Sequence, residues 1–197
     1  MKKALFIIIV AIIAASSTAV AQTTFQYFAK VSPQGSISGH DINIYYARPL
    51  SADTSKLASK FKFTAFALVE QGWAEAFAGV AYAPASWVEL GFGFGLEQNP
   101  ALYRFCSSVW MGKGNFSFFT VVEKGDGRDN WWYKSNLKYQ VKKFAFGVQS
   151  WRYQVSGPIV EYSPVKAVTL WGMFGRNLES SEQPLVTGAV VGIDVKF

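Results

Sequence analysis

Residues 185–197 read Leu185-Val186-Thr187-Gly188-Ala189-Val190-Val191-Gly192-Ile193-Asp194-Val195-Lys196-Phe197. Successive side chains of a strand point to opposite sides. Leu185, Thr187, Ala189, Val191, Ile193, Val195 and Phe197 would therefore share one apolar face. Val186, Gly188, Val190, Gly192, Asp194 and Lys196 would share the other, which is small at first and charged at its end. This stretch predicts a strand with two chemically distinct faces, ending on an aromatic ring.

The opposite terminus carries a different signal. Lys2 and Lys3 precede an apolar run from Ala4 to Ala15, followed by Ser16-Ser17-Thr18 and Ala19-Val20-Ala21. A charged start, a short apolar run and a small-x-small site read as a signal peptide, residues 1–21, cleaved after Ala21. Residues 22–197 suit one domain, and no later stretch approaches the ~20 apolar residues of a helical membrane span. Losing Lys2 and Lys3 lowers the formal charge from +6 to +4. The remaining excess is dispersed, with no Lys/Arg cluster, so nucleic-acid binding is not expected. Cys106 is the single cysteine, which excludes a disulfide framework and a cysteine-rich metal site.

Between the termini, apolar or aromatic runs of about ten residues alternate with Gly, Pro, Asn, Asp or Ser, a pattern of strands and turns. The expected strands are 24–31, 41–48, 60–70, 73–83, 86–97, 101–111, 114–124, 130–141, 143–154, 157–163, 166–176 and 185–197. The preferred count is twelve, with ten as the alternative because 24–31 and 157–163 are weak.

Several of these runs repeat the two-faced pattern. Val88, Leu90, Phe92, Phe94 and Leu96 oppose Glu89, Gly91, Gly93 and Gly95. Trp131, Tyr133, Leu137, Tyr139 and Val141 oppose Lys134, Asn136, Lys138 and Gln140. A soluble barrel or sandwich would turn the apolar face inward, whereas a membrane barrel turns it outward, and alternation does not distinguish them. Three features favour the membrane. The polar faces are rich in glycine, and Trp73, Tyr82, Trp87, Trp131, Tyr133, Tyr153 and Tyr162 fall near strand ends, where interfacial girdles lie. Charged residues make up only 16% of the chain, against roughly 25–35% for a soluble surface. The expected fold is an all-β, transmembrane, antiparallel up-and-down β-barrel.

The last eight residues resemble the assembly signal of bacterial outer-membrane β-barrel proteins. That signal is a polar residue, a spacer, glycine, two spacers, an aromatic or apolar residue, a spacer and a terminal aromatic. Gly192, Val195 and Phe197 occupy the glycine, penultimate and terminal positions. Val190 stands where a polar residue is usual, and Val195 is aliphatic where an aromatic is commoner. The resemblance implies residence in the outer membrane of a Gram-negative bacterium. It also implies recognition of the C-terminal strand by the barrel-assembly machinery, with the ring of Phe197 as the main contact. The expected partners are thus outer-membrane lipid and that machinery.

With Phe197 at the periplasmic rim, connections 32–40, 124–130 and 177–184 fall outside and are long and polar. Connections 83–86, 112–115 and 163–166 fall inside and are tight, as the barrel rule requires. Segment 49–59 is the exception, long yet periplasmic, and reads either as a helical turn or as a break in the count.

Catalytic and metal chemistry find little support. His40 is the only histidine, in Ser36-Ile37-Ser38-Gly39-His40-Asp41. Acyl transfer needs a serine within hydrogen-bond reach of such a histidine and a group to orient it. The favoured reading is a solvent-exposed loop histidine, so no enzyme activity is expected. One His, one Cys and scattered carboxylates give no metal-ligand spacing. The turn Lys124-Gly125-Asp126-Gly127-Arg128-Asp129-Asn130 lacks the regular acidic positions and closing Glu of a calcium loop. No cofactor is implied; Gly91, Gly93 and Gly95 are not followed by a helix and do not make a nucleotide fingerprint.

The interior faces carry the remaining chemistry. Glu75, Glu89, Glu123, Lys134, Asn136, Lys138, Asp194 and Lys196 are the expected lumen-lining residues. They suit either a charge-lined path for small hydrophilic solutes or a salt-bridged plug. Twelve strands lie between the ~8 whose interior fills with side chains and the ~16–18 that leave an aqueous channel. A porin-like passive channel is the leading expectation. The alternatives are a non-conducting structural or adhesive barrel, acting through loops 32–40 and 177–184, and a lipid-modifying enzyme using His40.

Overall fold

The wall of the molecule is one continuous antiparallel sheet that closes on itself. The computed structural model describes residues 21–32, 35–70, 72–98, 103–178 and 187–197. The expected signal peptide falls almost entirely outside these residues, as do Leu185, Val186 and most of connection 177–184. The strands are β1 (Gln22–Val31), β2 (Ile37–Pro49), β3 (Phe61–Glu70), β4 (Trp73–Ala85), β5 (Val88–Glu97) and β6 (Arg104–Lys113). They continue as β7 (Phe116–Gly125), β8 (Trp131–Val141), β9 (Phe144–Trp151), β10 (Gly157–Val165), β11 (Val168–Arg176) and β12 (Thr187–Lys196). Each pairs with its sequence neighbours, and β1 pairs with β12 to close a barrel of twelve strands. Both weak segments form strands, β1 and β10, so the count is twelve rather than ten.

Gln22 and Phe197 lie at the same end of the barrel, joined by a backbone bond from the Phe197 N–H to the Thr23 carbonyl at 2.9 Å. We refer to this as the terminal end and to the other as the far end. Segment 49–59 holds the helical turn that accounts for its length, a 3-10 turn at Leu57–Lys60. The strand count is unbroken there. At the far end β2 starts at Ile37, earlier than the sequence suggests. The ladder shifts register between Ala29 and Lys30, and Gly39, at φ +62°, takes the left-handed conformation at that bulge. His40 consequently sits in a strand, not in a loop.

The distribution of side chains is the inverse of a soluble barrel. Outward positions expose large apolar groups, among them Phe92 (66% exposed) and Leu96 on β5, Phe105 on β6, Val148 on β9 and Phe174 on β11. The alternate positions of these strands turn inward and carry Gly91, Gly93, Cys106 and Gln149. The inward glycines make room for neighbouring side chains. A Cβ on Gly93 would lie 2.7 Å from the Cys106 sulfur, and one on Gly192 would lie 2.5 Å from the Trp171 ring.

Not all of the interior is polar. Phe28, Trp151, Val155, Ile159, Trp171, Met173 and Val190 form a buried cluster inside the barrel, with Trp132 packed against it. Val190 is 1% exposed, so its departure from a polar residue coincides with a place in this cluster. Trp73, expected at a membrane interface, lines an interior cavity instead, where its ring faces the Arg104 guanidinium at 5.8 Å.

Candidate functional site

Among the described residues, three cavities of the barrel interior adjoin one another and share walls. The far-end cavity, about 410 Å³, is bounded by Asp41, Glu70, Trp73, Glu75, Glu97 and Arg104, with Phe28, Trp132 and Trp151. The central cavity, about 400 Å³, is lined by Tyr45, Glu75, Glu89, Cys106, Glu123 and Lys134 among others. Leu68, Glu75, Trp132 and Trp151 belong to both and form the wall they share. A third, about 130 Å³, is lined by Lys134, Asn136, Lys138, Gln149, Glu161 and Asp194. It shares Gln26, Phe119 and Lys134 with the central one.

Strand pairing explains the most charged part of this interior. Glu75 on β4 pairs with Glu97 on β5, and Arg104 begins β6 beside them. The Arg104 guanidinium lies 2.6 Å from Glu97, 3.5 Å from Glu75 and 3.4 Å from Glu123. It also donates to Asn130 Oδ1 at 2.8 Å, and Asn130 donates in turn to Glu97 at 2.5 Å. One cation thus serves three buried carboxylates. Burying them is costly, and the arrangement holds only while the guanidinium and its hydrogen bonds are in place.

Elsewhere the polar groups form cross-strand links. Asn43 donates to Gln26 at 2.9 Å, Gln26 donates to Asp194 at 2.8 Å, and the Trp171 indole N–H donates to the same Asp194 oxygen at 2.9 Å. This belt crosses β2, β1, β12 and β11. Lys138 pairs with Glu161 at 2.8 Å and Lys62 with Glu89 at 2.5 Å. The Lys134 ammonium lies over the Trp151 ring at 4.3 Å and within 5.9 Å of Trp171, distances suited to cation–π attraction.

Of the residues singled out from sequence, Glu75, Glu89, Glu123 and Lys134 line the central cavity. Asn136, Lys138 and Asp194 line the third. Lys196 lines none of the three and is exposed near the terminal end. Gly192 lies under Trp171, Val195 pairs with Phe25 and Val168, and Phe197 is 76% exposed. Asp41, Glu70, Glu97 and Arg104 were not singled out, nor were the interior rings Phe28, Trp151 and Trp171. Arg104 shares strand parity with Cys106 and Ser108, a signal that would have placed it inside.

His40 Nδ1 is bonded to the Tyr27 hydroxyl at 2.6 Å, and the two rings stack with centroids 6.0 Å apart. Ser36 is bonded to Ser32 at 2.6 Å, and the Ser38 side chain lies outside the described part. The acidic residues of the 124–130 turn serve the turn itself: Asp126 accepts from the Gly127 N–H, and Asp129 pairs with Arg152 at 3.0 Å. Among the described residues, no group of three or more His, Cys, Asp or Glu is arranged to hold a metal ion.

No protein-family model matches the chain, and no curated protein matches it in sequence. Solved structures do match in fold. A structure described as "KdgM porin" superposes with a TM-score of 0.56 at 15% identity, covering 88% of this chain and 99% of that one. Outer membrane phospholipase A from Escherichia coli gives 0.55 at 11% identity, covering 88% and 89%. NanC porin gives 0.52 at 10% identity, covering 89% and 98%. At these identities the likeness is one of fold, shared by porins and an enzyme alike.

Proposed function

We propose that the protein is an integral outer-membrane barrel acting as a narrow, porin-like passive channel for small hydrophilic solutes. The membrane reading is supported by the apolar exterior and polar interior, the arrangement a barrel needs when lipid replaces water outside. The observation that carries the channel reading is the series of three adjoining cavities lined by charged and amide groups. The modest volumes, about 400 and 410 Å³ for the two larger cavities, favour small solutes over a wide aqueous pore. The terminal end faces the periplasm in this reading, Phe197 offers its ring to the assembly machinery, and the leader ends at Ala21.

Purified protein in a planar bilayer should give discrete single-channel steps, and liposomes containing it should swell in isosmotic solutions of small sugars or amino acids. Absence of both would refute the channel. A mature N-terminus at Gln22 and loss of insertion on deleting Phe197 would support the export and assembly roles.

A second reading, a non-conducting structural barrel, is supported by the ring cluster that fills part of the lumen; silent bilayers with correctly folded protein would favour it. The lipid-modifying reading would need a serine beside His40, whose bonded neighbour is Tyr27. We therefore propose no enzyme activity. Loss of phospholipid hydrolysis in His40→Ala would overturn that.

A further inference from the structure

We propose that the far-end cavity is a binding site for small organic cations, a primary ammonium carried on a short apolar body. This deepens the channel reading by naming the class of solute. Four consecutive strands, β2 to β5, each place one carboxylate on the same side of the cavity: Asp41, Glu70, Glu75 and Glu97. Phe28, Trp132 and Trp151 complete the lining with aromatic rings.

The carboxylates are not balanced by the protein's own cations. Glu75, Glu97 and the adjacent Glu123 share the single guanidinium of Arg104. Glu70 is paired with the Lys30 ammonium at 3.9 Å, beyond a hydrogen bond. Asp41 is 1% exposed, and neither of its oxygens meets a hydrogen-bond donor among the described residues. The side chain facing it is another acid, Glu70. Glu75 Oε2 has no hydrogen-bond donor among the described residues, its ion-pair contact being Arg104 Nε at 3.5 Å. Among the described residues these five carboxylates are paired with Arg104 and Lys30, and the least exposed of them, Asp41, lines the cavity without a donor.

A buried anion beside a like charge is stabilised by a cation brought between the two. An ammonium supplies three donors, enough for both oxygens of Asp41 and one of Glu70. Its apolar body would lie against the aromatic rings. Arg152 is paired with Asp129 and stacked on Trp131 and Tyr153. A bare metal ion fits less well, since among the described residues no three His, Cys, Asp or Glu are arranged to hold one. The volume, about 410 Å³, lies within the ordinary range of small-molecule sites, roughly 300–1,000 Å³.

The test uses the refolded full barrel in detergent, titrated with benzylammonium chloride and followed by calorimetry and tryptophan fluorescence. Benzyl alcohol, benzoate and calcium chloride are the comparison arms. Saturable benzylammonium binding, about tenfold or more tighter than benzyl alcohol, is expected, as for a charge-assisted contact. Benzoate should not bind. Asp41→Asn and Glu70→Gln should each weaken binding about tenfold or more, and Lys30→Met should strengthen it. Heat-modifiable gel mobility checks that each variant is folded.

Equal binding of benzyl alcohol, or unchanged affinity in both carboxylate variants, would overturn the site and leave a proton shared between Asp41 and Glu70. Calcium binding that excludes benzylammonium would overturn the organic cation in favour of a metal. Binding requires no conduction, so the two readings fail separately. A barrel that binds but never conducts refutes the channel alone; one that conducts but does not bind refutes this inference alone.

Discussion

Trp151 is the side chain whose removal should change both stability and passage. It is buried at the end of β9, with its ring 5.0 Å from Phe28 and 6.1 Å from Trp132. It also belongs to the wall shared by the far-end and central cavities. Trp151→Ala removes a core-sized aromatic group, which ordinarily costs about 3–5 kcal/mol. It also strips the Lys134 ammonium of its ring at 4.3 Å, a contact of about 0.5–2 kcal/mol. Against this, the Trp151 indole N–H finds no acceptor among the described residues, and relieving a buried donor returns about 1–3 kcal/mol. Trp151→Phe keeps most of the packing and removes the stranded donor, so it should lie within about 1 kcal/mol of the parent. Trp151→Ala should be destabilised by about 2–4 kcal/mol, the packing and cation–π losses less the relief, taken at mid-range. Urea titration of vesicle-inserted protein reads the stability. Single-channel recording should show larger steps for the alanine variant, because the two cavities then open into one another. Equal urea midpoints for all three proteins, or an alanine variant with unchanged step size, would refute the role assigned to this ring.

Arg104→Met leaves Glu75, Glu97 and Glu123 buried without their cation and should cost about 3–5 kcal/mol, read from the urea midpoint. Adding Glu97→Gln in that background should recover part of the loss. Cys106, in the wall of the central cavity, is a native reporter: a small methanethiosulfonate reagent should reduce single-channel steps in the parent and leave Cys106→Ser unaffected. In the connection between β2 and β3, the Ser55 hydroxyl and N–H both donate to Asp53 and hold its carboxyl below the ordinary 3.8. A carboxyl depressed in the folded state contributes stability above its unfolded value and loses it as pH falls through the folded one. NMR titration should show Asp53 ionising below 3.8 in the parent and nearer to it in Ser55→Ala.

The barrel was legible because its strands obey a strict period of two. Phe92, Phe94 and Leu96 against Gly91, Gly93 and Gly95 announce two environments, and turn residues mark nearly every strand end. The interior was only partly legible, because alternation assigns a side and not a partner. Glu75 and Glu123 could be placed inside, yet their meeting at Arg104 depends on the register of four strands, which no local pattern encodes. Phe28, Trp151 and Trp171 were hidden for a related reason. An aromatic side chain on the inward parity reads as noise until strand pairing brings Met173 and Val190 beside it. His40 misled because the bulge at Gly39 extends β2 past the turn residues that should have ended it.

The seam where β1 meets β12 carries a consequence for how the molecule is made. Gln26 and Asp194 are bonded across 168 residues of chain, and Phe28 and Val190 meet in the same interior cluster. Such distant pairings come late, since loop closure must be met before they form. Closing the wall and filling the lumen are therefore a single event. An unzipped sheet, with its two edge strands apart, exposes the rings of the interior cluster and breaks the Gln26–Asp194 bond, and nothing favours lingering there. Once zipped, any path to opening must expose all of these groups together. Persistence of the finished barrel then reflects the height of that barrier more than the depth of the folded well.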